Sequence, residues 1–148
     1  MDGVRIFNIG SCGWADFKFN NNVFPISYLT DAPLDILEEI LEYINGKYRL
    51  VVVFDAEGYS WTLVLNEYRV YMISEKNNCE LIQIDMTPND FIKQIVNDIK
   101  TQMEYVYNWM ESEEEVEDFG ELQEHLDRKD KINELLKQID KKIGELKW

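Results

Sequence analysis

The sequence predicts an α+β domain in which an antiparallel sheet of about five to seven strands carries packed helices and a C-terminal helical extension. Short runs rich in β-branched and aromatic residues crowd the first 85 positions, and two stretches, 33–45 and 88–110, switch to apolar spacings of three to four residues. A third helical pattern follows a block of acids at 111–118. At 148 residues the chain has the length of one domain, and with 45% hydrophobic and 13% aromatic residues it is too apolar to stay disordered.

A first short strand reads at 4–9. Residues 13–20 and 23–29 flank Asn20-Asn21-Asn22, a polar turn that tolerates positive φ, and form a hairpin. Asp31 offers a helix N-cap, Pro33 sits in the first turn, and Leu37, Ile40, Leu41 and Ile44 recur at helical spacing until Gly46 stops the segment. Four strands follow at 48–55, 59–66, 68–74 and 79–85. The short breaks Glu57-Gly58, Asn66-Glu67 and Lys76-Asn77-Asn78 join them into an antiparallel meander. Leu50 to Phe54 is apolar on both faces, which predicts a central strand covered on both sides or at least poorly exposed.

Thr87-Pro88-Asn89-Asp90 supplies a capping hydroxyl, a proline at the first helical position and an early acid. Ile92, Ile95, Val96, Ile99, Met103, Val106 and Met110 then mark one face of a helix over 88–110, expected to pack across the sheet. Glu111, Glu113, Glu114, Glu115, Glu117 and Asp118 repel one another, so 111–118 reads as a solvated linker or an acidic arm. Beyond it Leu122, Leu126, Ile132, Leu136, Ile139, Ile143 and Leu146 stripe a final helix over about 119–147, with an interruption expected near Arg128-Lys129-Asp130. That stripe must meet either the parent domain or a second chain. The chain thus divides into an α+β domain at 1–110, a linker at 111–118 and a helical segment at 119–148.

Charge narrows the partners. With 29 acidic against 15 basic side chains the net charge is -14, and both 1–110 and 111–148 are acidic, so the surface repels phosphate backbones and anionic lipid. The expectation is no nucleic acid and no membrane. The N-terminus MDGVRIFNIG lacks the basic start and apolar core of a signal peptide, and Leu50–Phe54 is far too short to span a bilayer, which places the protein in the cytoplasm. Cys12 and Cys79 stand outside any C-x-x-C spacing and read as reduced thiols.

Catalytic patterns are missing. His125 is the single histidine, so histidine-dependent triads and multi-histidine metal sites are excluded by counting, and Glu121 with His125 makes only two ligands. Gly10-Ser11-Cys12-Gly13 precedes a strand where a phosphate cradle opens a helix, so it reads as a turn. Neither a cofactor nor a metal is expected. Trp14, Tyr59 and Trp61 are the candidate recognition residues; they serve either as core or as partner-facing anchors, and Tyr59 and Trp61 share one strand face. Glu57, Glu113, Glu114 and Glu115 are candidate steering charges.

Three segments, Gly13-Trp14-Ala15, Ile26-Ser27-Tyr28-Leu29-Thr30-Asp31-Ala32 and Glu57-Gly58-Tyr59-Ser60-Trp61, resemble in order a family of small uncharacterised bacterial proteins. The likeness spans about 13 to 75 and lacks the proline of the family's E-P-G-E-Y-R-W-like segment. It implies no enzymatic activity or cofactor; small acidic proteins of this look often accompany toxin genes as immunity proteins. The expectation is a non-enzymatic protein-binding module, most concretely an immunity-type inhibitor of a basic toxin. The alternative is a structural or assembly protein that oligomerises through 119–148, with an enzyme third.

Overall fold

The computed structural model describes residues 5–10, 14–27, 29–75, 80–109 and 119–144. Cys12, Cys79, the Lys76-Asn77-Asn78 break, the linker at 111–118 and its Glu113, Glu114 and Glu115 lie outside them.

β1 (Phe7–Ile9), β2 (Ala15–Phe19) and β3 (Asn22–Ile26) form one antiparallel sheet in that order. The asparagine turn is as expected: Asn20 and Asn21 take φ of 47° and 67° beneath the Phe19–Asn22 pair, the two left-handed positions of a type I′ turn. Gly10 closes the β1–β2 connection by donating to the Trp14 carbonyl at 2.8 Å, and a Cβ there would stand only 3.0 Å from that oxygen.

α1 (Ala32–Ile44) begins where the Asp31 carboxylate accepts the Leu34 N–H. It ends in a Schellman motif: Gly46, at φ 115°, donates to the Tyr43 carbonyl and Lys47 donates to that of Glu42. β4 (Arg49–Asp55), β5 (Ser60–Asn66), β6 (Val70–Ser74) and β7 (Leu81–Ile84) follow as the expected antiparallel meander. α2 (Pro88–Lys100) starts at Thr87, whose hydroxyl accepts the Asp90 N–H, and α3 (Met103–Tyr107) and α4 (Phe119–Ile143) complete the chain.

The α+β class holds, but the strands make two sheets of three and four rather than one of five to seven. The reason lies on the free edge of β3. Pro25 has no N–H to offer a neighbouring strand and its carbonyl accepts the Trp61 indole N–H at 2.7 Å, so one backbone bond, Ser27 N–H to the Asp55 carbonyl at 2.7 Å, ties β3 to β4. Side chains join the sheets instead. Phe17 stacks on Phe7, tilts against Phe54 and meets Trp61 edge-on, and Trp61 also contacts Phe24 and Phe54, with ring centroids 4.5 to 5.5 Å apart.

A second correction concerns Leu50–Phe54. β4 is an edge strand; Leu50, Val52 and Phe54 point into the core, whereas Val53 is 54% exposed. The apolar run therefore has a covered face and an open one.

β1, the outer strand of the three-stranded sheet, is capped by side chains of Asp98 in α2 and Gln102 just beyond it. Asp98 Oδ2 accepts the N–H groups of Ile6 and Phe7 at 2.9 and 3.0 Å, and Gln102 accepts from Ile9 N–H and donates to the Phe7 carbonyl, both at 2.8 Å. The helix thus replaces a missing strand with a carboxylate and an amide.

The same contact breaks the helix expected to run from 88 to 110. The Asp98 carbonyl accepts the Thr101 hydroxyl and the Gln102 side-chain amide, and the Gln102 N–H shifts to the Ile99 carbonyl. Losing the regular 98–102 bond ends α2 and restarts the chain as the single turn of α3.

α4 shows no break at Arg128-Lys129-Asp130. Its stripe at Ile132, Leu135, Leu136 and Ile139 is buried in the common core, against α1. Arg128 grips both Asp31 carboxylate oxygens at 2.7 and 2.8 Å and donates to the last carbonyls of α3, at Val106 and Tyr107. One guanidinium joins the start of α1, the end of α3 and α4.

Two stability experiments test this architecture. Asp98→Ala strands two buried N–H groups and should cost about 3 kcal/mol, whereas Asp98→Asn keeps an acceptor and should cost about 1 kcal/mol near neutrality. Burial lifts the Asp98 carboxyl above its ordinary 3.8 despite the hydrogen bonds that oppose the rise. The folded state then binds this proton more tightly than the unfolded chain does, so the contribution of Asp98 to stability falls as pH rises from the ordinary value through the raised one. Urea melts across that range should show the wild type losing stability relative to Asp98→Asn as pH increases. Separately, Ile132→Ala and Ile139→Ala should each cost about 2–4 kcal/mol, because α4 completes the core. Unchanged urea midpoints would mean that α4 is an appendage.

Candidate protein-binding surface

Strand alternation sends one row of each β-strand inward and the other outward. In the four-stranded sheet the outward rows fall in register: Val53, Thr62, Ile73 and Leu81 lie side by side across β4 to β7, and Val51, Val64, Tyr71 and Gln83 form the next row. None of these eight is buried, and Leu81 at the far edge is 57% exposed. Outer faces of half-open sheets are ordinarily polar, whereas here six of the eight residues are aliphatic or aromatic, Thr62 and Gln83 being the exceptions.

Acids rim one end of this face. At the β4–β5 turn Glu57 and Gly58 take φ of 56° and 102°, and Asp55 Oδ1 accepts the Glu57 N–H at 2.7 Å. Glu75 donates its N–H to the Ser60 carbonyl and Ser74 donates to that of Glu80, which brings Glu75 and Glu80 to the same end. A left-handed glutamate costs the fold about 1 kcal/mol against glycine, and it places a charge at the tip of a rigid turn.

Trp14 and Tyr59 reach this end as well. Trp14 extends β2 one residue past the Ala15–Ile26 pair, level with Ser27, and is 43% exposed. The Ser27 hydroxyl donates to the Asp55 carboxylate at 3.3 Å, so Asp55 links the Trp14 end of one sheet to the Glu57 turn of the other. Tyr59 is half-buried against the core. Trp61 is elsewhere in role: it is fully buried in the aromatic cluster and offers nothing to a partner. Of the recognition residues read from the sequence, Trp14, Glu57 and Tyr59 lie toward one end of the strands, Trp61 is in the core, and Glu113, Glu114 and Glu115 fall outside the described residues.

The outer-face residues were missed. Their signal was present in the doubly apolar run at Leu50–Phe54, read as strand coverage on both sides when one side is open. A second feature also escaped. A cleft of about 420 Å³ at the opposite end of the sheet is lined by Tyr43, Tyr48 and Tyr68 beside Glu67, with Tyr48 and Tyr68 77% and 76% exposed. A hydrogen bond to Glu67 raises the Tyr68 hydroxyl above its ordinary value, which keeps it a donor.

The stripe of α4 that could have served a second chain is occupied by α1 from Ile132 to Ile139. Among the described residues no three side chains of histidine, cysteine, aspartate or glutamate gather as a metal site, and no helix is long and apolar enough to cross a membrane. No family model matches the sequence, and neither a curated protein nor a solved structure is detectably similar to it.

Proposed function

We propose that this protein is a non-enzymatic binding module that takes a basic protein partner on the outer face of its four-stranded sheet. The observation that carries the reading is the apolar face of Val51, Val53, Val64, Tyr71, Ile73 and Leu81, left open in a chain of net charge -14 and rimmed by Glu57, Glu75 and Glu80. Acids at the margin steer a cation-rich partner and the desolvated apolar rows hold it. An inhibitor of a basic toxin is the concrete form of that partnership, since a nuclease surface must be basic to hold phosphate and small acidic proteins of this look often accompany toxin genes.

The partner is to be isolated at low salt and its kinetics measured with purified components. Association should slow at least tenfold between about 20 mM and 500 mM salt while dissociation changes little, because steering between exposed charges is screened over about 10 Å at ordinary ionic strength. Val53→Lys, at an exposed position, should leave the melting temperature nearly unchanged and raise the dissociation rate at least tenfold. A partner indifferent to both salt and Val53→Lys would refute the reading.

Glu57 allows a sharper experiment. Asparagine accepts positive φ more readily than glutamate does, so Glu57→Asn should stabilise the fold by about 0.5–1 kcal/mol and yet slow association. Gain of stability with unchanged association would remove Glu57 from the binding surface.

A further inference from the structure

Three of the four sheet edges carry a device that covers or blocks some of their outward backbone groups. Asp98 and Gln102 bond the Ile6, Phe7 and Ile9 N–H groups and the Phe7 carbonyl along β1. Pro25 blunts β3, and its carbonyl and the Ser27 N–H are taken by Trp61 and Asp55. On β4 the Glu39 carboxylate accepts the Val51 N–H at 3.3 Å, and Ser27 covers the Asp55 carbonyl. These are the usual guards against unwanted strand pairing.

β7 has none among the described residues. The bond from Ser74 N–H to the Glu80 carbonyl sets the phase of the β6–β7 ladder, so Ile82 and Ile84 exchange bonds with Met72 and Val70. The N–H and C=O groups of Leu81 and Gln83 therefore point away from β6. Both residues are exposed, no side chain or backbone group of the described chain bonds to them, and no proline or lysine interrupts Leu81–Ile84.

We propose that the edge of β7 is a strand-addition site for a basic, extended segment of a protein partner. It rests on the protein-binding reading above and states how that partner attaches. A segment running antiparallel to β7 continues the meander and receives bonds from the Leu81 and Gln83 backbones. Its residue opposite Leu81 extends the outward row of Val53, Thr62, Ile73 and Leu81 by one apolar side chain. Its ends fall beside Glu80 and Asp85, both exposed, with Glu75 across the strand end, so lysine or arginine is matched there and an acidic segment is repelled. Backbone bonds thus give general strand affinity, and the apolar row with flanking acids selects the sequence.

The probe is a capped hexapeptide, lysine-isoleucine-threonine-isoleucine-valine-lysine, whose threonine and valine fall opposite Gln83 and Leu81. In the free protein, amide exchange followed by NMR should be fast at Leu81 and Gln83 and slow at Ile82 and Ile84. Saturating peptide should slow exchange at Leu81 and Gln83. Methylating the backbone nitrogens of threonine and valine, which face β7, should weaken binding by at least about tenfold, whereas methylating the two isoleucine nitrogens should not. Gln83→Pro removes an outward N–H and no ladder bond, so it should abolish peptide binding with little change in melting temperature. Should that variant melt early, Leu81→Lys supplies the same loss through like-charge repulsion. Absence of peptide binding, or binding indifferent to the methylation pattern or to both variants, would overturn the proposal. A natural partner that binds Gln83→Pro as tightly as the wild type but loses affinity for Val53→Lys would overturn strand addition and leave the protein-binding reading standing.

Discussion

The backbone of β1 has no strand on its outer side, and burying its N–H groups unpaired would cost the fold several kcal/mol. Asp98 and Gln102 remove that cost from 91 to 95 residues away, and much else follows. Holding both side chains against β1 fixes where α2 lies. Drawing Gln102 inward takes the Asp98 carbonyl out of the helical ladder, so α2 ends and α3 starts on a new axis. From that axis the last carbonyls of α3 meet Arg128, and Arg128 reaches Asp31 at the start of α1. A single edge-closing contact thus connects to the helix junction that seats α4.

The joint between the sheets has a similar economy. Asp55 accepts from Ser27 and from Glu57, so one side chain ties the end of β3 to the turn that carries the outermost glutamate. Trp61, buried beneath, takes the Pro25 carbonyl and fills the gap between sheets that, among the described residues, exchange one backbone bond. The proposed surface is therefore rigid for structural reasons. Its exposed parts, Trp14, Glu57 and the outward rows, sit on strands and a two-residue turn whose conformations are fixed from below, which limits the entropy lost when a partner binds.

What the sequence made legible was local. The turn at Asn20-Asn21, the caps at Asp31 and Thr87, the stop at Gly46 and the meander all depend on residues within a few positions of one another, and each stands as read. The misread features depend on distant partners. Nothing near Gln102 announces that its amide bonds to Phe7, and nothing in Pro25 says that a tryptophan in another sheet takes its carbonyl. The strand run at Leu50–Phe54 was a correct observation with two explanations, coverage on both faces or an apolar face left open, and composition does not separate them. Trp61 was ambiguous for the same reason: strands favour tryptophan in cores and at recognition sites alike. That the end of β3 meets the Glu57 turn through Asp55 is a tertiary fact.

An open apolar sheet face beside an unguarded edge strand is an invitation to self-association, and charge supplies the restraint that packing does not. Two copies approaching through this face bring Glu57, Glu75, Glu80 and Asp85 of one against the same acids of the other, in a field set by a net charge of -14. Like-charge repulsion slows that encounter and leaves the face available. For the basic partner proposed above the same field would reverse sign and become attraction, so one distribution of carboxylates would discourage self-association and favour that encounter. Covering the face with a helix would have prevented self-association equally well, but it would also have removed the surface. On the binding reading proposed above, charge is the means that would protect the face in the free protein and yield to a partner of opposite sign.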